Sequence, residues 1–144
     1  MALSVVTFNI GGGDGTRADK KRMINTFSSD RLPSVIYLQE NPWRLDYIKN
    51  HVPKIKERYE AVSHKHLDAT VLYRKDVIED EGSEKLKKPF QDLDAFKKTK
   101  LDFERFKERA SFSKLTEIKT DTSFVVISWH GEYTGFSEQE KKKI

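Results

Sequence analysis

Cysteine is absent from this chain, which excludes disulfide scaffolds, thiolate metal sites and cysteine nucleophiles. No apolar run approaches the ~18 residues that a membrane-spanning helix needs, so no membrane partner is expected. The N-terminal Met-Ala-Leu-Ser-Val-Val lacks the basic region and following apolar stretch of a signal peptide. Together these absences predict a soluble, intracellular protein, either cytoplasmic or nuclear.

The composition is that of a small folded domain with a highly charged surface. The 144 residues fit one domain, which we predict to span residues 1–144. Nine Phe, five Tyr and two Trp supply the large apolar side chains that a core needs. Lys and Arg number 27 against 23 Asp and Glu, and this near balance favours solvated helix faces. The formal net charge of +4 permits an anionic partner without requiring one.

Six segments have the composition of strands. Leu3–Ile10 and Ser34–Glu40 are apolar on both faces, which predicts strands covered on both sides. Arg17–Ser29 has helical spacing and lies between them, so the three segments predict a βαβ unit with two parallel strands. The residues expected to point inward from this helix are Met23, Ile24 and Phe27. The other predicted strands are Tyr59–Ser63, Ala69–Arg74, Phe112–Lys119 and Ser123–His130, and the last of these is again apolar on both faces, so it too is predicted to be covered on both sides.

The remaining segments predict helices and one long loop. Trp43–Glu57 has helical spacing, and Pro53 is expected to break or end that helix early. Asp76–Pro89 is charged and contains a glycine, so it is predicted to be a surface loop. Phe90–Arg109 is predicted to form one or two helices, and Ser137–Ile144 to begin a polar helix. The predicted fold class is therefore α/β, a mixed sheet of about six strands with helices on one face and no obvious cover on the other.

Asn9 and Glu40 are the sharpest candidates for a functional pair. Each lies at the C-terminal end of a strand in the predicted βαβ unit. If the strands are parallel neighbours, both side chains lie at the carboxyl edge of the sheet, where ligands collect in open α/β folds. A carboxylate and an amide are hard oxygen ligands suited to magnesium. The alternative is that Asn9 makes a turn and Glu40 is solvated, and spacing alone leaves both interpretations open.

Glycines and histidines provide further, weaker candidates. Gly11–Gly15 is favoured as a tight turn, because it lacks the third glycine of a dinucleotide-binding loop and the Gly-Lys-Ser/Thr of a P-loop. His64 and His66 alternate without a third nitrogen ligand nearby, so a zinc site is not predicted. His130 ends a strand and precedes a glycine. It is a candidate acid/base or phosphate contact, or a structural cap of the strand end.

The order of four segments carries a family resemblance. The first two are Val5–Ile10 and Leu32–Glu40, which ends in Leu-Gln-Glu, and the last two are Ala69–Asp76 and Ser123–His130. This order resembles the endonuclease/exonuclease/phosphatase superfamily, whose members include DNase I, exonuclease III and inositol polyphosphate 5-phosphatases. The resemblance implies a four-layer αββα sandwich. It also implies the use of a divalent metal, Mg²⁺ or Mn²⁺, to hydrolyse phosphate esters, including those of nucleic acids.

The resemblance also assigns expected roles to individual residues. It makes Glu40 a weak metal ligand, Asn9 a catalytic residue that positions metal or phosphate, His130 the catalytic contact to the scissile phosphate, and Arg109 a further phosphate contact. The family's later Asp-x-Asn and Ser-Asp-His motifs do not follow His130 in this sequence. The resemblance therefore covers the N-terminal half of the family's fold, corresponding to the first of its two sheets.

Three hypotheses about function follow from these patterns. The first is a metal-dependent phosphodiesterase, a nuclease-like module. The second is a non-catalytic half-domain that forms a homodimer through its uncovered sheet face and acts as a scaffold, a regulator or a binder of anionic ligands. The third is a truncated form of a longer hydrolase with no function of its own. The sequence does not distinguish the second from the third.

Overall fold

A computed structural model of the chain describes residues 3–10, 18, 20, 22, 24–25, 32–41, 44–66, 68–98 and 102–130. Residues 18, 20, 22, 24 and 25 are helical. The helices whose two ends are described are α1 (Leu45–His51), α2 (Pro53–Arg58), α3 (Glu84–Gln91), α4 (Asp94–Lys98) and α5 (Phe103–Glu108). The strands are β1 (Val5–Asn9), β2 (Val35–Gln39), β3 (Tyr59–Ala61), β4 (Ala69–Arg74), β5 (Ile78–Gly82), β6 (Ala110–Glu117) and β7 (Thr122–Trp129).

Within the described residues the strands form two sheets, and the α/β class is confirmed. The first sheet has the order β1-β2-β4-β3 and the second the order β5-β6-β7. β1 and β2 are parallel, with Val5 opposite Val35 and Asn9 opposite Gln39, so the predicted βαβ unit is correct. β2 and β4 are antiparallel, as are all pairs in the second sheet. The strands number seven rather than about six, and they do not share one sheet.

Helices cover one face of the first sheet. Ile36, Leu38 and Leu72 point to this face and are almost fully buried. They pack against four apolar residues of the helices, Ile24, Ile48, Val52 and Ile55. Pro53 ends the first helix of this layer and begins the next, as predicted, because a proline ring is tolerated only in the first turn of a helix.

The opposite face of the first sheet is covered by the second sheet. Val35 and Val71 of the first sheet share a buried cluster with Ile78, Leu115 and Val126 of the second. The prediction that this face lacks a cover within the chain is therefore wrong. Strand alternation does not say which sheet a strand joins, and β5, β6 and β7 form a sheet of their own that lies across the first. Both sheets of a sandwich are present.

Aromatic side chains cover part of the outer face of the second sheet. Phe112 of β6 is fully buried and lies with its ring centroid 5.3 Å from that of Phe90 in α3 and 6.2 Å from that of Phe106 in α5. Phe106 also contacts Phe96 and Phe103, with centroids 5.2 and 6.2 Å away. The described residues thus have helices outside both sheets, which is the layer order of an αββα sandwich.

The segment Asp76–Pro89, predicted as a loop, contains β5 and most of α3. Ile78 is buried between the sheets. The three residues that follow it are acidic, so the sequence of the strand shows no alternation of apolar residues. The Asp80 carboxylate accepts hydrogen bonds from the backbone N–H groups of Ser63 and Gly82, both at 2.8 Å, and from the Ser113 hydroxyl. These hydrogen bonds to Asp80 stabilise β5, although the strand has no alternation of apolar residues.

Two strands predicted to be covered on both sides each have an exposed face. Val5 of β1 is 59% exposed, and Val125, Ile127 and Trp129 of β7 are 44–47% exposed. Both strands lie at the edge of their sheet, so neighbouring elements cover them less completely. Met23, Phe27, Gly11–Gly15 and Ser137–Ile144 lie outside the described residues. No helix in the described ranges has the length and apolar character needed to cross a membrane.

Leu115→Ala is expected to lower the free energy of unfolding by about 2–5 kcal/mol, because it leaves a cavity between the two sheets. Urea denaturation followed by circular dichroism measures the change. The matched control is Ile118→Ala, whose side chain is 56% exposed in the turn after β6 and whose substitution is expected to change the value by less than about 0.5 kcal/mol. Equal losses in the two variants would contradict the packing of the two sheets.

Candidate functional site

Asn9 and Glu40 are in direct contact. The Asn9 Nδ2 donates a hydrogen bond to Glu40 Oε1 over 3.0 Å. Asn9 is the last residue of β1, and Glu40 follows β2 directly with a φ of 51°, a left-handed conformation that costs a non-glycine residue about 1–2 kcal/mol. The parallel register aligns the two strand ends, so the predicted juxtaposition at the carboxyl edge is present in the structure.

Hydrogen bonds beside this pair join the same edge to β4. Gln39 and Thr7 exchange side-chain hydrogen bonds of 2.9 and 3.2 Å between β2 and β1. Asn41 is fully buried, and its Nδ2 donates to Thr70 Oγ1 over 3.0 Å. Thr70 lies near the start of β4, and β4 runs antiparallel to β2. The residues that precede β4 therefore lie at the edge that carries Asn9 and Glu40.

Arg109 and His130 form a second pair, at the ends of β6 and β7 that lie together. The Arg109 Nε donates to the His130 carbonyl oxygen, and Arg109 Nη2 lies 2.8 Å from His130 Nδ1. A guanidinium has only donors, so His130 Nδ1 must accept this hydrogen bond. The proton of the neutral imidazole is therefore on Nε2, and the ring offers an N–H donor on its far side.

Asp68 and His66 join this second pair to the start of β4. One carboxylate oxygen of Asp68 lies 3.6 Å from His130 Nδ1, and the Asp68 backbone N–H donates to His66 Nδ1 over 3.3 Å. The backbone N–H of His66 donates to the Ser111 hydroxyl of β6 over 2.7 Å. Asn9, Glu40, Asp68 and His130 thus lie along one edge of the sandwich, which we call the polar edge. Asn41 and Thr70 connect its two pairs.

Sequence reasoning did not find Asp68, His66 or Ser111 as members of this site. It searched the C-terminal ends of strands, which is the correct end for β1, β2 and β7. An antiparallel strand brings its N-terminal end to the same edge, and Asp68 directly precedes β4. The sequence shows that Asp68 precedes a predicted strand. Placing Asp68 at this edge requires the direction of that strand relative to its neighbours.

Burial lowers the pKa of His66 below its ordinary value. Asp68 opposes the shift, while Arg109 and His130 lower the pKa further. His66 Nδ1 accepts the Asp68 backbone N–H, so the neutral ring of His66 also carries its proton on Nε2. His66 is accordingly a neutral hydrogen-bond donor at pH 7.

A cavity of about 310 Å³ opens at this edge beside His66 and Thr70. The cationic side chains of Arg44 and Lys65 line it, together with the carboxylate of Asp46. In the part of the chain that the structure describes, neither Arg44 nor Lys65 takes part in a salt bridge. Two cationic residues and one acidic residue thus line the cavity together with His66, and this excess of positive charge favours an anionic group.

The residues at the Asn9–Glu40 pair fit a weakly held magnesium or manganese ion. Magnesium in proteins commonly keeps several waters and binds through one or two carboxylates together with substrate phosphates. Glu40 supplies one such carboxylate, and Asn9 fixes its orientation. Among the described residues no group of three or more His, Asp or Glu side chains is arranged to hold a metal, so the donor set at this pair is small.

His64 and His66 have different surroundings. His64 Nε2 lies 3.0 Å from the Lys107 carbonyl oxygen, and the imidazole stacks on Phe112 with ring centroids 4.2 Å apart. His66 instead faces Asp68 and Ser111. The two alternating histidines therefore serve packing in one case and the polar edge in the other.

Comparisons with known proteins do not identify a family. No protein-family model matches the chain, and no curated protein shows significant similarity to it. The resemblance to the endonuclease/exonuclease/phosphatase superfamily thus depends on residue patterns alone. Because one fold can host many functions, function has to be inferred from the side chains that meet at the polar edge.

His66→Asn is expected to reduce the loss of stability on acidification. A folded-state pKa below the unfolded value of about 6.5 means that the unfolded chain binds more protons in mild acid, so this residue makes stability fall as pH drops below about 6.5. The free energy of unfolding, measured in urea at pH 7 and pH 5, should differ less between the two pH values in the variant than in the original chain.

The control for this experiment is His51→Asn. His51 is exposed at the end of α1, where its Nδ1 lies 2.8 Å from the Tyr47 carbonyl oxygen. Both variants remove one histidine, but only His66 is partly buried beside Arg109 and His130, so a difference between the two variants in pH dependence reports on the surroundings of His66. An unchanged dependence in His66→Asn would show that His66 does not resist protonation in the folded state.

Proposed function

We propose that this chain is a divalent-metal-dependent phosphodiesterase of the nuclease-like type. The observation that carries the proposal is the 3.0 Å hydrogen bond from Asn9 to Glu40 at the carboxyl edge of two parallel strands. It orients a carboxylate at an edge that also carries the Arg109–His130 pair, whose N–H donors suit a phosphate. An intracellular location and a phosphate-ester substrate, such as nucleic acid, are parts of the same proposal.

Glu40 would hold the ion, and Asn9 would keep the carboxylate in place. When bound, Mg²⁺ or Mn²⁺ supplies Lewis-acid neutralisation of negative charge on a phosphoryl oxygen. The Asn9 amide contributes by donating to one carboxylate oxygen, which restricts rotation of the Glu40 side chain. Charge-assisted hydrogen bonds of this kind are stronger than neutral ones, so the pair forms a defined ligand rather than a freely rotating one.

Arg109 and His130 would bind the substrate phosphate. The guanidinium uses Nε and Nη2 to hold His130, which fixes both groups in one orientation. His130 then presents its Nε2–H, and Arg109 its positive charge and other N–H groups, to an anion at the edge. Fixed donors of this kind stabilise the charge that develops as a phosphoryl group is transferred. Arg44 and Lys65 at the cavity would attract the neighbouring phosphates of a polyanion.

A second candidate function is binding of an anionic ligand without turnover. The observation that favours it is the small donor set, because Glu40 provides the one carboxylate at its pair and no larger group of metal ligands occurs in the described residues. Arg109, His130 and the cavity would serve this function equally well. The two candidates differ in whether Glu40 is needed.

Glu40→Gln is expected to reduce metal-dependent nicking of supercoiled plasmid DNA by about 100-fold or more. Loss of one group that stabilises transition-state charge costs about 10²–10³ in rate, and glutamine removes the negative charge while keeping the shape of the side chain. The assay measures conversion to open circles in Mg²⁺ or Mn²⁺, and a chelator should abolish the activity of the original chain.

The matched control is Glu79→Gln, an exposed position on β5 outside the polar edge. It should nick at the rate of the original chain. Equal rates in Glu40→Gln and Glu79→Gln would refute the role of Glu40. Absence of turnover, combined with phosphate-dependent chemical shifts of His130 in NMR spectra, would support the binding function instead.

A further inference from the structure

Among the described strands that lie at the edge of a sheet, β7 differs from the others in composition and length. Its eight residues, Thr122–Trp129, contain no charge, proline or glycine, and among the described residues it pairs with β6 alone. Edge strands are normally protected from pairing by charges, bulges or shortness. β3 has three residues, and β5 carries three acidic residues and a bulge. β1 is also uncharged but has five residues, and the side chains of Thr7 and Asn9 are hydrogen-bonded to Gln39 of β2 and to Glu40 directly after it.

The register of the second sheet shows which backbone groups of β7 point away from it. The Phe112 N–H donates to the His64 carbonyl oxygen, on the side of β6 opposite β7. Along an antiparallel strand the backbone N–H and C=O groups of successive residues point alternately to one side and the other. The backbone groups of Ser111 and Ser113 therefore bond to Ser128 and Val126, their partners in β7. The outward N–H and C=O groups of β7 therefore belong to four alternating residues, Ser123, Val125, Ile127 and Trp129.

Three of these residues also have exposed apolar side chains. Val125, Ile127 and Trp129 are 45, 44 and 47% exposed on the outer face of the second sheet. Trp129 is partly supported by Phe106, with ring centroids 6.0 Å apart. Among the described residues, β7 thus presents backbone groups without a strand partner and an apolar stripe at the same residues, and one further strand of matching polarity would satisfy both.

We propose that β7 pairs with β7 of a second copy of this chain, antiparallel about a twofold axis at Val126. This register places Val125 opposite Ile127 and Ser123 opposite Trp129, each twice. In this register the outward N–H and C=O groups of all four residues form hydrogen bonds between the two copies. The exposed apolar side chains of both strands lie on the same face of the sheet. The two second sheets then form one continuous six-stranded sheet.

The composition of β7 indicates that its partner strand comes from a second copy of this chain. An incoming strand has to be uncharged and must alternate apolar residues on the outer face over about seven residues, and β7 has this composition. Twofold pairing is isologous and closes on itself, which limits the assembly to a dimer. The interface differs from the sheet-face dimer predicted from the sequence, since the second sheet covers that face. It does not depend on catalytic activity.

Ile127→Lys should raise the dissociation constant of the dimer at least about tenfold in sedimentation velocity experiments. The substitution places a charge on the outer face, one residue from the twofold axis, in each copy. Its matched control is Ile118→Lys, an isoleucine of similar exposure in the turn between β6 and β7, which should dimerise like the original chain. Both positions are exposed, and circular dichroism verifies that the variants fold.

Cysteine cross-linking tests the register, because the chain has no cysteine of its own. Hydrogen-bonded antiparallel partners have Cα atoms about 5.5 Å apart, within the range of a disulfide. A mixture of Val125→Cys and Ile127→Cys chains should therefore form cross-linked dimers on oxidation. Each variant alone should not, since like residues lie diagonally about 7–8 Å apart.

Three results would overturn the proposal. The first is a well-folded monomer of the original chain at about 100 μM. The second is equal dissociation of Ile118→Lys and Ile127→Lys, which would locate association away from β7. The third is failure of the mixed cysteine variants to cross-link, or equal cross-linking of either variant alone.

Discussion

The packing of the second sheet across the first is the constraint on which the rest of this molecule depends. Val35 and Val71 meet Ile78, Leu115 and Val126 in a buried layer. Facing sheets of this kind lie about 10 Å apart, and their contact removes apolar surface from water. The same contact brings the adjacent ends of β6 and β7 to the edge where β1 and β2 end. Without it, Asn9 and Glu40 would have no neighbours from the second sheet.

The polar edge that results is a row of oriented groups of opposite charge. Glu40 and Asp68 supply carboxylates, while Arg109, Arg44 and Lys65 supply cations. Buried or half-buried hydrogen bonds, such as that from Asn41 to Thr70, keep the row in register with the sheet. The combination suits a phosphate ester held between the carboxylate proposed to bind a metal and fixed N–H donors, whether or not the ester is cleaved.

Edges determine much of what this chain exposes. In the part of the chain that the structure describes, the second sheet ends on one side in β7, which carries outward backbone groups and exposed apolar side chains at the same positions, and on the other side in β5, which carries acidic residues. This difference in composition is the reason for proposing that β7, and not β5, pairs with a further strand. It also explains why a strand that is apolar on both faces need not be buried on both.

The sequence by itself determined the local elements and one contact. Leu3–Ile10 and Ser34–Glu40, apolar on both faces and separated by the helical segment Arg17–Ser29, predicted parallel strands, and that parallel arrangement was sufficient to bring Asn9 to Glu40. Only the tertiary structure decided that the chain contains two sheets, that Asp76–Pro89 holds a strand, and that Asp68 and His66 join the site. The physical reason is that alternation records whether a side chain is covered but not by what. Asp80 meets Ser113 of β6, Asp68 meets His130 just after β7, and Val71 meets Leu115 and Val126. These partners lie far along the chain and become neighbours only when the sheets pack.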